Sequence, residues 1–135
     1  MEMKELEYSA KIAVMRILND IVYADNVVKV VEVNYMNEVA STFELADDYI
    51  NEVNNLVTLQ ALSIVRALSA DVKEKIAQLM GKMIVIDEDI NYNEVKLYNA
   101  VCESCNIEKD FNVEDYPDYT LSGPFVNPED LMNDI

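Results

Sequence analysis

The feature that most constrains this chain is what it lacks. Across 135 residues there are two glycines and three prolines, and no proline occurs between Met1 and Asp115. A β-rich fold of this size would need a turn every few residues, and turns are built mainly from those two residue types. Long stretches free of both favour helices joined by few connections. The expected fold class is therefore all-α. One domain of this length can bury a core without disulfides or metal.

Periodicity places the helices. Between Glu5 and Tyr23, Leu6, Ala10, Ala13, Val14, Ile17 and Ile21 recur at steps of three and four, one face of an amphipathic helix. A second helix begins near Lys29 and carries Val31, Tyr35, Met36, Val39 and Phe43. The run "ADDYINEV" reads as a short third helix capped by Asp47 or Asp48. From Leu56 to Leu68 only Gln60 and Arg66 interrupt apolar and small residues, which predicts a helix in the middle of the bundle. Ser69 is a suitable N-cap for a helix with the stripe Val72, Ile76, Leu79, Met80 and Met83. A last long helix carries Val95, Tyr98, Val101, Cys102 and Cys105.

The chain divides into a helical domain, residues 1–111, and an acidic tail, residues 112–135. The tail has six acidic residues, no lysine or arginine, and all three prolines. Asn127, Pro128 and the acids behind them predict a short terminal helix, and the tail is expected to dock. Tyr116 and Tyr119 beside Pro117 have the composition of a binding strap or a homodimer contact.

Charge and missing residue types exclude several functions. Twenty-six acidic residues against ten basic ones give a formal net charge of −16. Such a surface repels nucleic-acid phosphates and anionic lipid, and favours cations or a basic protein partner. There is no histidine, so histidine triads, histidine-ligated zinc and a histidine pH switch are all excluded. Cys102 and Cys105 lack a second ligand pair for zinc and lie on an apolar stripe, where they read as small core residues. No glycine-rich phosphate loop occurs. With no apolar leader and no run able to span a bilayer, the expected location is cytoplasmic.

An internal repeat underlies the helices. With an offset of 62 residues, "YADNVVKVVEVNYMNEVASTFEL" lies over "VIDEDINYNEVKLYNAVCESCNI". Asp25 falls on Asp87, Val28 on Ile90, Glu32 on Glu94, and Leu45 on Ile107. Each unit is a helix, a short turn and a helix, so the bundle is expected to be two pseudo-repeated hairpins around a central apolar helix. In each turn the aspartate closes one helix and the aliphatic residue plugs the core. The glutamate enters the first turn of the next helix, where free amides and the macrodipole favour it.

The second turn, "IDEDINYNE", opens like a calcium loop, with Asp87, Asp89 and Asn91 at alternate positions. The sixth position is Tyr92, where such a loop needs glycine, and the twelfth is Tyr98, where it needs glutamate, so this is no EF-hand. A looser all-oxygen site for calcium, magnesium or manganese remains open, with Asp25, Glu32, Asp87, Asp89 and Glu94 as candidate ligands.

The repeated Asp-x-x-(Val/Ile)-x-x-x-Glu resembles the TerB-like family, named for tellurite resistance. Its members join helices by turns of the type Asp-Gly-x-Ile-x-x-x-Glu, usually in two copies. Asp25, Val28 and Glu32 match one copy, and Asp87, Ile90 and Glu94 the other, over roughly residues 10–111. A small residue before the aspartate is present as Ala24 but replaced by Ile86, and the motif glycine is Asn26 in one copy and Glu88 in the other. Glutamate tolerates left-handed geometry poorly, so the second turn is expected to differ in shape. The resemblance implies an all-helical cytoplasmic domain with no established enzymatic activity, an association with stress and tellurite resistance, and acidic turns suggested to bind metal. Two roles follow: a non-catalytic interaction or scaffold module, or a divalent-cation-binding stress protein.

Overall fold

A computed structural model describes residues 3–123; the helix expected in the last nine residues lies outside them. Six helices form the body: α1 (Tyr8–Val22), α2 (Val30–Thr42), α3 (Tyr49–Asn55), α4 (Thr58–Arg66), α5 (Ala70–Val85) and α6 (Tyr92–Cys105). The fold is an all-α bundle, as the scarcity of turn residues requires.

The central element is α1. It packs against each of the other five helices, and Ala10, Ile12 to Met15, Ile17, Leu18, Ile21 and Val22 are all buried. The central position expected for the 56–68 segment is therefore corrected. Helix α4 lies on α1 and α6 and fully buries only Ala61 and Val65. Leu59 at its start is 79% exposed. An apolar composition on all sides did not mean burial on all sides, because a nine-residue helix has one face to offer a larger neighbour.

Caps follow local chemistry in part. Ser69 Oγ accepts from Val72 N at 3.3 Å and opens α5. Asn91 Oδ1 accepts from Asn93 N at 2.8 Å and opens α6. Asp48 stands at the N-cap of α3 without a side-chain bond to its amides, so the cap expected there does not form.

The repeat is written in the backbone. Among the described residues four non-glycine residues have positive φ: Asn26 (62°), Glu44 (60°), Glu88 (61°) and Asn106 (58°). They are two pairs, each separated by the repeat offset. Asn26 N bonds Tyr23 O at 3.1 Å as Glu88 N bonds Val85 O at 3.0 Å, and Leu45 N bonds Ala40 O at 3.0 Å as Ile107 N bonds Cys102 O at 2.8 Å. The hairpins α1–α2 and α5–α6 thus share turn and terminus geometry. Glu88 takes the same left-handed conformation as Asn26, so the different shape expected for the second turn does not occur.

A small parallel sheet was not legible. After Glu88 the chain extends as β1 (Asp89–Asn91), which pairs with β2 (Thr120–Ser122) in the register Asp89–Thr120, Ile90–Leu121, Asn91–Ser122. The segment between α6 and β2 runs along a ladder of rings, with centroid separations of 5.8 Å for Tyr98–Phe111, 5.7 Å for Phe111–Tyr116 and 5.1 Å for Tyr116–Tyr119. Tyr98, at the twelfth position of the calcium-like stretch, is buried in the core, and its hydroxyl accepts from Asp110 N and Phe111 N.

Candidate functional site: a reciprocal carboxyl junction

Each turn opens on an aspartate that holds its own backbone. Asp25 Oδ1 accepts from Val27 N at 3.0 Å, and Asp87 Oδ1 accepts from Asp89 N at 3.2 Å. These Asx turns help to hold the next residue, Asn26 or Glu88, in the left-handed region that a non-glycine residue otherwise avoids.

The remaining oxygen of each aspartate is taken from the opposite turn. Lys29, after the first turn, donates to Asp87 and also to Asp89 Oδ2 at 3.1 Å. Asn91, its equivalent after the second turn, donates through Nδ2 to Asp25 Oδ2 at 3.0 Å. Asp89 is further held by Ser122 Oγ at 2.7 Å and Thr120 Oγ1 at 2.8 Å, so β2 is bound through its side chains as well as its backbone.

Beneath these contacts the two motif glutamates meet. Glu32 and Glu94 are 1% and 2% exposed, and each perturbs the other's titration as a near neighbour. Burial pushes Glu94 up to about 10, reinforced by the Glu32 bond and by the charges of Glu32, Asp25 and Asp87. Burial also raises Glu32, with Asp87 and Asp25 adding to the effect, while the Glu94 bond and Lys29 oppose it. Glu94 therefore holds its proton at neutral pH, and the two carboxyls titrate as an interacting pair. Glu32 Oε1 is buried with no hydrogen-bond partner.

The outer groups are shifted the other way. Burial alone would lower Lys29, but its bonds to Asp87 and Asp89 hold it above its ordinary value. Burial alone would raise Asp89, yet Ser122, Thr120 and Lys29 hold it below the usual carboxylate range.

The five acids singled out as ligands, Asp25, Glu32, Asp87, Asp89 and Glu94, all gather at this junction. They do so around two internal donors, Lys29 and Asn91. Among the described residues no group of three or more His, Cys, Asp and Glu side chains is placed to hold a metal ion as it stands. Lys29 is the site residue that sequence reasoning passed over, and Asn91 was read only as part of the calcium-like opening. The signal was present, because the repeat offset pairs them and both follow the aliphatic position. Charge on one and amide on the other concealed a shared role.

The aliphatic plugs differ. Ile90 is 2% exposed and seated in the core, whereas Val28 is 43% exposed, so the first turn does not plug the core as expected. With Tyr23, Val27, Val30 and Val31 it forms an exposed apolar edge beside the junction.

Comparison with known proteins gives a fold. No family model matches the chain, and no curated protein matches it. A crystal structure of a protein of unknown function from Porphyromonas gingivalis W83 is similar, with a TM-score of 0.67 and 20% sequence identity, covering 78% of this chain and 83% of that one. At that identity the likeness is one of architecture. Among the described residues no helix is long and apolar enough to cross a membrane.

Proposed function

We propose that this chain is a non-catalytic, TerB-like helical interaction module, linked to stress response, that engages a protein partner through the valine edge of its first turn. The observation that carries this reading is the contrast between equivalent turns: the junction spends its acids on internal bonds, while Val27, Val28, Val30 and Val31 remain exposed. Consecutive exposed aliphatic residues on a short connection offer an apolar surface that a partner could cover. The excess of acid over base favours a partner segment with apolar residues flanked by basic ones. A photo-crosslinker replacing Val30 in the native host should give a discrete product that Val27→Asp with Val31→Asp removes. The same probe at exposed Glu108 should give none. Equal products at both positions would reject the edge as a binding surface.

One observation favours a second reading, binding of a divalent cation at the junction. Glu32 Oε1 is a buried oxygen without a partner, and all-oxygen donors suit calcium, magnesium or manganese. Glu32 and Glu94 are the ligands at hand, since Asp25 and Asp87 each have both oxygens engaged. A bound cation would take the place of the proton that Glu94 holds, so Glu94 would release it. Calorimetry in buffers of different ionisation heat should show proton release on cation uptake, lost in Glu94→Gln. Heats unchanged by that substitution would reduce the effect to screening of surface charge.

A further inference from the structure

We propose that the edge of β1 is a recognition site for an extended segment of a partner protein, and that β2 fills it as an internal stand-in. The segment it fits carries a hydroxyl residue, any residue, a second hydroxyl residue and then glycine. This site is separate from the valine edge, and neither reading depends on the other.

The first argument is what holds β2. Thr120 Oγ1 donates to Asp89 Oδ1 at 2.8 Å and Ser122 Oγ donates to Asp89 Oδ2 at 2.7 Å, so one carboxylate reads both hydroxyls. Asn91 Nδ2 adds a bond to Ser122 Oγ at 3.4 Å. Between the two hydroxyls Leu121 is 55% exposed, so the middle position is unread. Gly123 follows with φ +105°, and a Cβ there would meet Tyr92 N and Tyr92 Cβ at 3.2 Å. Only glycine passes this point without strain. The paired backbones supply affinity and these four positions supply selectivity, the division of labour of strand addition.

The second argument is that the turn forms without such a strand. The first turn makes the same Asx turn and holds the same left-handed residue, with no strand among the described residues paired to it. Nor does β2 fill the core: Thr120 and Leu121 are exposed and Ser122 is half-buried. The ladder of rings anchors the chain up to Tyr119, the residue before β2, so the strand can lift with the ladder in place. A segment held by polar bonds over little buried apolar surface opens locally at low cost. Once β2 lifts, β1 presents an unpaired backbone edge beside Asp89 and Asn91, which a segment of the same signature satisfies.

The test uses the full chain and a labelled peptide with the sequence of residues 116–123, YPDYTLSG. In the unaltered chain β2 competes from its tether at an effective concentration on the order of millimolar, which masks the site. Thr120→Val with Ser122→Ala removes the hydroxyls that hold β2 and leaves Asp89 and Asn91 in place. Gly123→Ala strains β2 through its backbone alone and serves as a second, independent variant. In each, the amide at position 120 should exchange with solvent about tenfold faster than in the unaltered chain. Each should also bind the peptide about tenfold more tightly by fluorescence anisotropy. Peptides with valine and alanine in place of the two hydroxyl residues, or alanine in place of glycine, should lose that binding. Unchanged exchange in both variants overturns the proposal. So does an opened variant that leaves the peptide unbound or binds all three peptides alike. Competition by the unaltered chain as strong as that of unlabelled peptide would assign the site to a second copy and overturn the partner equally.

Discussion

Lys29 and Asn91 stand at equivalent positions of the two half-turns, and each reaches across to the aspartate that opens the other's turn. The junction therefore has the reciprocity of a symmetric dimer interface, built inside one chain. Glu32 and Glu94 complete it as a pair of equivalents that meet each other.

Removing either reaching side chain should cost more than an ordinary surface change. Lys29→Met leaves Asp87 and Asp89 facing each other without their shared cation, and is expected to destabilise by about 1–3 kcal/mol. Adding Asp87→Asn should recover part of that loss. Asn91→Ala removes both the α6 cap and the bridge to Asp25, for about 1–2 kcal/mol. Asn91→Asp keeps the cap but sets a carboxylate against Asp25, and should be the worse of the two above about pH 5. Urea midpoints measure all four.

The glutamate pair gives stability an unusual pH dependence. Glu94 sits near 10 in the fold against about 4.3 for an unfolded glutamate, so the folded state holds the extra proton between those values. Its contribution is fully present below the unfolded value and is lost as pH rises toward the folded one, at a limiting slope of about 1.4 kcal/mol per pH unit. Asp89, held low, acts oppositely and loses its contribution as pH falls below the ordinary aspartate value. Stability should peak in mildly acidic solution and decline from pH 6 to pH 9. Glu94→Gln should flatten that decline, and a slope unchanged by the substitution would show that the fold does not hold Glu94 protonated.

The left-handed turns predict an asymmetry between two substitutions at equivalent sites. Glu88→Gly relieves a conformation that costs a glutamate about 1–2 kcal/mol, partly offset by the freer unfolded chain, for a net gain of roughly 0.5–1 kcal/mol. Asn26→Gly should change stability little, since asparagine already tolerates the geometry. Thermal melts of the two variants check the difference.

Cys102 and Cys105 should be silent until the chain unfolds. Both are buried free thiols, Cys105 Sγ lies 3.4 Å from Leu62 O, and burial raises both above the ordinary thiol value. A thiol reagent should react at the rate of opening, and fast reaction in the native state would contradict this packing.

Much of this architecture was legible because it is local. Turn-residue scarcity, the stripes of α1, α5 and α6 and the Ser69 cap all depend on neighbours within a few residues, and the repeat shows as two such local patterns laid over one another. Position in the bundle is a different kind of information. The 56–68 segment looks central by composition, yet α1 holds that place, because burial depends on which faces other helices choose. The strand pairing was hidden for the same reason: "DIN" and "TLS" are too short to carry alternation. At the junction the acids were visible as a repeated motif, and what they bind was not. Contacts between residues about sixty positions apart leave no trace in either segment alone.

That separation in sequence has a kinetic consequence. The bonds from Lys29 to Asp87 and Asn91 to Asp25 each close a long loop, so they are expected to form after both hairpins exist and have been brought together. They are expected in the last step of folding rather than in its nucleus. Substitutions there are expected to leave the refolding limb of a chevron nearly unchanged and to steepen the loss of the native state by faster unfolding. The junction works as a latch on a finished bundle.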